Sequence, residues 1–537
     1  MTTRKKKVAT IPASGLQASG GGLEGADKIS REMFSWQPRI VSPNEQIARD
    51  KDLVDLRSTD IIQNEGMASG AIATFKDSIV GAKFLLNAKP NWKVIGAPEG
   101  WAEEFQEVAE SRFNLLADSP ENWLDASRLC TLTGMVRLAI ASYFFKGEVT
   151  ASAEWLKAPN RPCGTAIKMF DPIRMSNPNG MYDTQFLRKG VAIDKFGAPQ
   201  GYHIRHGHPG DLLLNVEQYR WSYVPARKPW GRPLVLHIFE PMQAEQNRGI
   251  SQMVAVLKSM RMTKKFSEIA LQNAVINASY AAVLESELPP EVIYNQLGGN
   301  AAGISFLQQY MAEYATYMGA AKNIHIDGAK IPTLFPGTKL NLKNVGTPGG
   351  IGTDFEASLH RYTAAGLGLS YEEYTRDYTK TNYSSARAGA AQTERGMVTR
   401  KKMIADRFAT MVYSLWLEED LMRGNLPLPS GFSPADFYKP LMKEAFCSAD
   451  WIGAGAGMID PKKETEAAIM RIKSGLSTYE REIARMGDDF REVFAQRARE
   501  EKLMTSLGLY FNMDSQNAEN AKGSTSADDE QDDKRPE

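Results

Sequence analysis

The stretch Arg248-Gly249-Ile250-Ser251-Gln252-Met253-Val254-Ala255-Val256-Leu257-Lys258-Ser259-Met260 breaks with the text that precedes it. Ile250, Met253, Val254, Leu257 and Met260 make one helical stripe. Phe266, Ile269, Asn273 and Ile276 continue it on a shifted face, and the change of face falls at Arg261 to Lys265. The spacing predicts a helix from Ile250 to Tyr280, on the order of 45 Å long at about 1.5 Å per residue. That exceeds what a compact domain requires, and long helices of this kind often line an assembly.

Upstream of that stretch, Phe144 to Phe239 reads as short alternating runs punctuated by Pro and Gly. Val191-Ala192-Ile193 and Gly201-Tyr202-His203-Ile204, joined through Lys195 to Pro199, predict a hairpin in a mainly antiparallel sheet. From 46 to 142 helical patterns dominate; Ile61, Ile62, Met67, Ala71, Phe75 and Ile79 share a spacing that ends at Gly81. Residues 1–45, with Gly20-Gly21-Gly22, read as a flexible arm.

Downstream, residues 281–345 read as a small α/β unit. A helix follows, with Phe355, Leu359, Tyr362 and Thr363 on one face. Gly366-Leu367-Gly368 breaks it, Ser370 to Tyr383 is polar and Tyr-rich, and a long helix runs from about Ser384 past Trp416. Asp460 to Leu507 reads as helices separated by Gly475 and Gly487, the first opened by Asp460-Pro461 and the second capped by Ser477. Residues 511–537 form an acidic tail that carries Asp528, Asp529, Glu530, Asp532 and Asp533.

The 537 residues imply several packed units, and 42% hydrophobic with 24% charged residues is the composition of a folded chain. Lys plus Arg and Asp plus Glu number 64 each, so no overall field steers the protein onto nucleic acid or a membrane, and DNA contact has to be local. Cys130, Cys163 and Cys447 are too scattered for a metal knuckle or disulfide framework, which fits a reducing cytoplasm. Neither a signal peptide nor an apolar run of about 18 residues is present, so a soluble protein without a membrane partner is expected.

Catalytic motifs are absent in intact form, and the reading calls for no catalytic residue, no metal and no cofactor. Gly453-Ala454-Gly455-Ala456-Gly457 lacks the spacing of a phosphate cradle and reads as a flexible loop. His203, His206 and His208 are the best metal candidates, but they sit on a strand end and in His208-Pro209-Gly210 turn chemistry. Two alternatives stay open: a metal-dependent nuclease using dispersed carboxylates with these histidines, and a capsid scaffolding adaptor.

Several phrases, in order along the chain, resemble the lambda-like family of tailed-phage portal proteins. They are Leu56-Arg57 through Asn64-Glu65-Gly66, Ile79-Val80-Gly81, Asp171-Pro172-Ile173-Arg174-Met175-Ser176-Asn177-Pro178, His237-Ile238-Phe239-Glu240-Pro241 and Glu245-Gln246-Asn247-Arg248-Gly249-Ile250. More specific are Ala364-Ala365-Gly366-Leu367-Gly368-Leu369-Ser370-Tyr371-Glu372 and Asn382-Tyr383-Ser384-Ser385-Ala386-Arg387. Asp450-Trp451-Ile452-Gly453, Ile459-Asp460-Pro461-Lys462-Lys463-Glu464 and Gly487-Asp488-Asp489-Phe490 complete the series. The tails and the strands from Arg161 to Gly210 match poorly.

The resemblance implies an α+β portal fold and a dodecameric ring at one capsid vertex of the virion, assembled in the host cytoplasm. In that frame 46–248 is the wing, 249–280 the first stem helix, 281–345 the clip and 346–366 the second stem helix, with Thr353 to Ala365 at its centre. Residues 367–383 are the channel loop, 384–445 a long helix and wing return, and 446–510 a helical crown. The implied partners are double-stranded viral DNA, the terminase large subunit, the head-tail connector, and the major capsid protein with its scaffold.

Geometry agrees with twelve copies. Helices about 10 Å across, twelve abreast, leave a bore of roughly 28 Å, wide enough for a duplex roughly 20 Å wide. Lys258, Arg261, Lys264 and Lys265 on the stem, and Arg376, Lys380 and Arg387 around the loop, are the candidate DNA-channel residues. Gly366 and Gly368 are expected to release the loop from helix. Tyr371, Tyr374, Tyr378 and Tyr383 are expected to offer broad faces on it.

Overall fold

The computed structural model describes residues 33–211, 216–279, 351–379, 381–455 and 460–509, together with 324–326, 329–331 and positions 26 and 457. The acidic tail, most of the arm, most of segment 281–345 and Lys380 lie outside the described residues. Five helices build the centre: Pro43–Asn64, Gly66–Ile79, Glu99–Ala117, Leu132–Lys146 and Arg407–Met422. Sheet and helix are mixed in sequence, and every pair of strands in the three principal sheets is antiparallel, so the class is α+β.

Leu132–Lys146 is largely buried. Thr131 caps it by accepting from the Gly134 N–H, and Gly147 ends it in the left-handed region at φ +79°. Its residues are apolar almost all round, the pattern of a helix covered on every side. Phe144 stacks on Phe75 with ring centroids 3.6 Å apart. Around it Phe113 meets Tyr413 and Trp416, and Trp451 stacks on Phe84 at 5.5 Å. One continuous apolar core joins these rings.

Three strands, Glu148–Trp155 between Thr165–Met169 and Val235–Phe239, lie against this core. A four-stranded meander, Leu187–Arg188, Val191–Ile193, Pro199–Arg205 and Trp221–Pro225, carries a small core of its own around Met175, Val191, Tyr202 and Val235. The expected hairpin is there, with Val191 opposite Tyr202 and a register shift after Ala192. A further pair, Leu85–Ala88 with Ala449–Ile452, ties the C-terminal part to the first quarter of the chain.

Three expectations change. The long helix starts at Leu257 rather than Ile250, because residues 252–256 are turns whose side chains Met253 and Val256 plug the core. Its 23 residues span about 34 Å. The helix beyond Ser384 is not continuous: Tyr383–Arg400 and Arg407–Met422 are separated by a π-helical turn, Lys401–Asp406. There the Lys401 ammonium binds the Asp406 carboxylate at 2.8 Å and the Trp451 carbonyl at 2.7 Å, which holds the widened turn. Thr478, not Ser477, caps helix Tyr479–Met486.

Gly453 and Gly455 of the glycine-rich run are closely seated, whereas Gly457 has open space around it. A Cβ on Gly453 would come within 2.8 Å of the Ile79 carbonyl oxygen, and one on Gly455 within 2.3 Å of the Met486 carbonyl oxygen. Gly81, at φ +74°, faces Ala454 equally closely. A Cβ on Gly487, at φ +89°, would lie 3.1 Å from the Gly455 nitrogen, so glycines from three distant phrases meet at one backbone crossing.

Candidate functional site

Helices Leu257–Ser279 and Ile351–Leu367 lie side by side. Phe266 meets Phe355 edge to face at 5.7 Å, and the Ser267 hydroxyl donates to the Glu356 carboxylate at 2.7 Å. Around this seam Met262, Ile269, Leu271, Phe355 and Tyr362 are 45–67% exposed, more apolar surface than the chain itself covers.

Lys258, Arg261 and Lys265 are exposed at i, i+3 and i+7 on the first of these helices, hence on one face. Lys264 is half-buried and donates to the Asn64 carbonyl at 2.8 Å, placing a cation at the C-terminal end of helix Pro43–Asn64. The four cations of this helix therefore divide into three that face outward and one that ties two helices.

The segment after the second helix is more ordered than its composition implies. Gly366 is helical; a Cβ there would meet Val256 Cγ1 at 2.4 Å, so its missing side chain lets the helix close on the preceding turn. Gly368, at φ +74°, is where the chain leaves helix. Ser370 then opens a short helix, Tyr371–Thr375, through a reciprocal cap with Glu373. Glu373 also accepts from the Thr393 hydroxyl at 2.6 Å, which fastens the segment to the next helix.

Tyr374 departs from expectation. It is 4% exposed, packed beside His360 and against helix Gly66–Ile79, and burial pushes its phenol above the ordinary range. Tyr371 lies under the Arg361 guanidinium at 5.1 Å. Tyr378 is 57% exposed, and Arg376, left-handed at φ +57°, is exposed next to it. Arg387 is exposed on helix Tyr383–Arg400; the side chain of Tyr383, its first residue, is outside the description.

Where the chain passes from the sheets toward helix Leu257–Ser279, sequence reasoning missed a buried ionic knot. Arg248, 1% exposed, grips Glu148 with Nε at 3.0–3.1 Å and Nη2 at 2.6 Å. Its remaining donors go to the carbonyls of Met175, Pro172 and Lys189. Glu148 also accepts from the Gly249 N–H and from His237 Nε2, each at 2.9 Å, and pairs with Lys51 at 3.2 Å. Lys51 in turn meets Asp55 at 3.0 Å and the Lys146 carbonyl at 2.7 Å.

Burial alone would raise the Glu148 carboxyl; Arg248, then Lys51 and the His237 bond, outweigh it and hold the group well below the usual range. Burial lowers His237, leaving a neutral imidazole that donates through Nε2. Asp55 moves the other way, pushed up to about 6 by burial with Lys51 only partly opposing. Beside the knot the two strands of chain touch at backbone level: a Cβ on Gly249 would lie 2.0 Å from the Gly147 carbonyl oxygen. The available signal was the quoted phrases themselves, since Asp171 to Met175, His237 and Arg248-Gly249 converge here.

The histidines do not converge. His206 bonds Ser222 and Glu217, His208 accepts from the Gly210 N–H, and His203 packs at a tilt against Tyr223. Among the described residues no three His, Cys, Asp or Glu side chains gather as a metal site, and no helix is long and apolar enough to cross a membrane.

Residues 30–401 match the family model described as phage portal protein, lambda family, and the chain belongs to that family. It is 37% identical to the portal protein of Escherichia phage N15, covering 92% of this chain and 91% of that protein. To portal protein B of Escherichia phage lambda it is 35% identical, over 94% and 95%. A solved chain from the neck of an empty gene transfer agent particle aligns with a TM-score of 0.40 at 12% identity, over 82% of this chain and 93% of that one. The family is structural rather than catalytic, and its members are virion components.

Proposed function

We propose that twelve copies of this chain form the portal ring of a tailed phage, the channel through which double-stranded DNA is packaged and ejected. The observation that carries the reading is the paired-helix seam, which leaves large apolar side chains uncovered beside an outward row of Lys258, Arg261 and Lys265. In a ring the apolar side chains are buried between neighbours, and each exposed base becomes a ring of twelve charges. A few such rings attract phosphate while avoiding the affinity of a continuous positive wall, because each neutralised phosphate adds salt-sensitive binding.

In this reading 46–248 is the wing, 249–280 and 346–366 the stem, 281–345 the clip, 367–383 the channel loop and 446–510 the crown. Arg376, Lys380, Tyr378 and Arg387 face the duplex at the narrowest level. The terminase large subunit and the head-tail connector dock at the clip, the major capsid protein and scaffold around the wing, and assembly takes place in the host cytoplasm. Negative-stain imaging with mass photometry of the purified chain tests the ring: twelvefold particles are expected. A monodisperse monomer at micromolar concentration under assembly-permissive conditions would overturn the reading and favour an adaptor, and metal-dependent cleavage of DNA by the pure protein would favour a nuclease.

A further inference from the structure

Residues 33–42 precede the first long helix and carry three large apolar side chains that are mostly exposed. Phe34 is 65% exposed, Trp36 67% and Ile40 fully exposed. With Pro38 they recur at every second position, which is the period of a strand, not of a helix. Yet residues 36–42 form neither, and no backbone hydrogen bond ties residues 37–41 to the rest of the described chain. The segment is anchored at its end: Ser42 caps helix Pro43–Asn64, and the Asn44 side chain donates to the Glu245 carbonyl at 2.8 Å and to Asn247.

A complementary surface exists on the same chain. In the four-stranded meander the order runs from Leu187–Arg188 to Trp221–Pro225, and the last strand pairs on one side only among the described residues. Alternate residues face outward: Trp221 and Tyr223 each offer an N–H and a C=O there and Pro225 a C=O, a short edge of the kind that recruits another strand. Tyr223, half exposed, leans inward over Gly201 and His203 of the paired strand, so its ring does not cover the outer edge.

We propose that residues 36–41 add as an edge strand to Trp221–Pro225 of a neighbouring copy. The inference rests on the ring reading: a closed ring needs two unlike patches on each subunit, one given and one received, and strap and edge are such a pair. Proline sets the register class. Pro38 has no N–H, so the backbone of Trp36, Pro38 and Ile40 faces away from the acceptor and that of Gln37, Arg39 and Val41 faces it. With Gln37, Arg39 or Val41 directly opposite Tyr223 in an antiparallel pair, the side chains of Trp36 and Ile40 lie together on the other face, that of Ser222 and Val224.

The test uses the full-length chain with single cysteines at Gln37, Arg39 or Val41, each combined with Tyr223→Cys, oxidised and run on a denaturing gel. At least one pair is expected to give a covalent ladder of multimers, since directly opposed residues approach to about 5 Å. A second variant, Phe34→Ser with Trp36→Ser and Ile40→Ser, is expected to raise the concentration for half-assembly at least tenfold while leaving the monomer's circular dichroism unchanged. Unlinked rings from every cysteine pair, together with normal assembly of the triple serine variant, overturn the strap and leave the ring standing. Crosslinks confined to single chains mean that the strand folds back on its own meander, which also overturns it. Failure of the unmutated chain to assemble removes the ring reading, and the strap with it.

Discussion

Replacing Arg248 by Met leaves the length of the side chain and removes its charge and five donors. Glu148 keeps Lys51, His237 and the Gly249 N–H, while the carbonyls of Pro172, Met175 and Lys189 lose their partner. Breaking a buried pair costs about 3–5 kcal/mol, and each orphaned carbonyl adds on the order of 1 kcal/mol without strict additivity. About 5 kcal/mol is the expected loss, a large share of the roughly 5–15 kcal/mol that holds a domain folded. Urea unfolding followed by tryptophan fluorescence reads it, because Trp101, Trp416 and Trp451 are buried in the core. Adding Glu148→Gln to Arg248→Met removes the stranded charge, so the double variant should recover at least ~2 kcal/mol relative to the sum of the singles. A single-variant loss below about 1 kcal/mol, or strict additivity in the cycle, refutes the view that the knot is an interdependent charged unit.

Asp55, raised to about 6, favours its protonated form in the fold, so its contribution to stability falls as pH rises from about 4 to about 6 and is constant above. Asp55→Asn should therefore gain on the wild type across that window, by on the order of 2–3 kcal/mol at most, in paired urea titrations. Glu110, pushed up to about 7 mainly by burial, should show the same trend extended to about pH 7, tested with Glu110→Gln. Gly249→Ala places a Cβ into the Gly147 carbonyl and should yield insoluble or unassembled protein, whereas Gly66→Ala, with open space around it, should assemble as wild type in the same sedimentation assay. Arg376→Ala with Lys380→Ala should keep the ring and reduce DNA retained in filled heads; normal retention with confirmed rings removes the gripping role. Deleting residues 1–20 and 515–537 should leave ring formation intact by mass photometry, since neither composition supports a packed core.

The helices and the meander were legible because their apolar periods are local. The break at Gly368 was legible too, since only a left-handed position demands that residue there. What escaped reading was made by tertiary contact. Residues 250 to 256 carry a helical stripe, but Met253 and Val256 gain more by plugging the core from a turn than by extending the helix. Tyr374 sits in a polar run, and only the neighbouring helix Gly66–Ile79 buries it. Gly453 and Gly455 look like a loose run because the carbonyls of Ile79 and Met486 that demand them are far away in sequence. The knot was invisible for the same reason: Lys51, Glu148, His237 and Arg248 come from four segments, and no local pattern marks a charged residue as buried.

The pairing of Leu85–Ala88 with Ala449–Ile452 sets a timetable for synthesis. The first strand leaves the ribosome roughly 360 residues before its partner, a delay of about 20 to 70 s at about 5–20 residues per second. Throughout that interval Phe84 and Phe113 lack Trp451, and the turn at Gly81 lacks the backbone that seats against it. A nascent chain in this condition leaves those rings uncovered toward other nascent chains on the same message. Translation pauses or synonymous changes before codon 449 should thus alter the yield of assembled particles without altering a single residue.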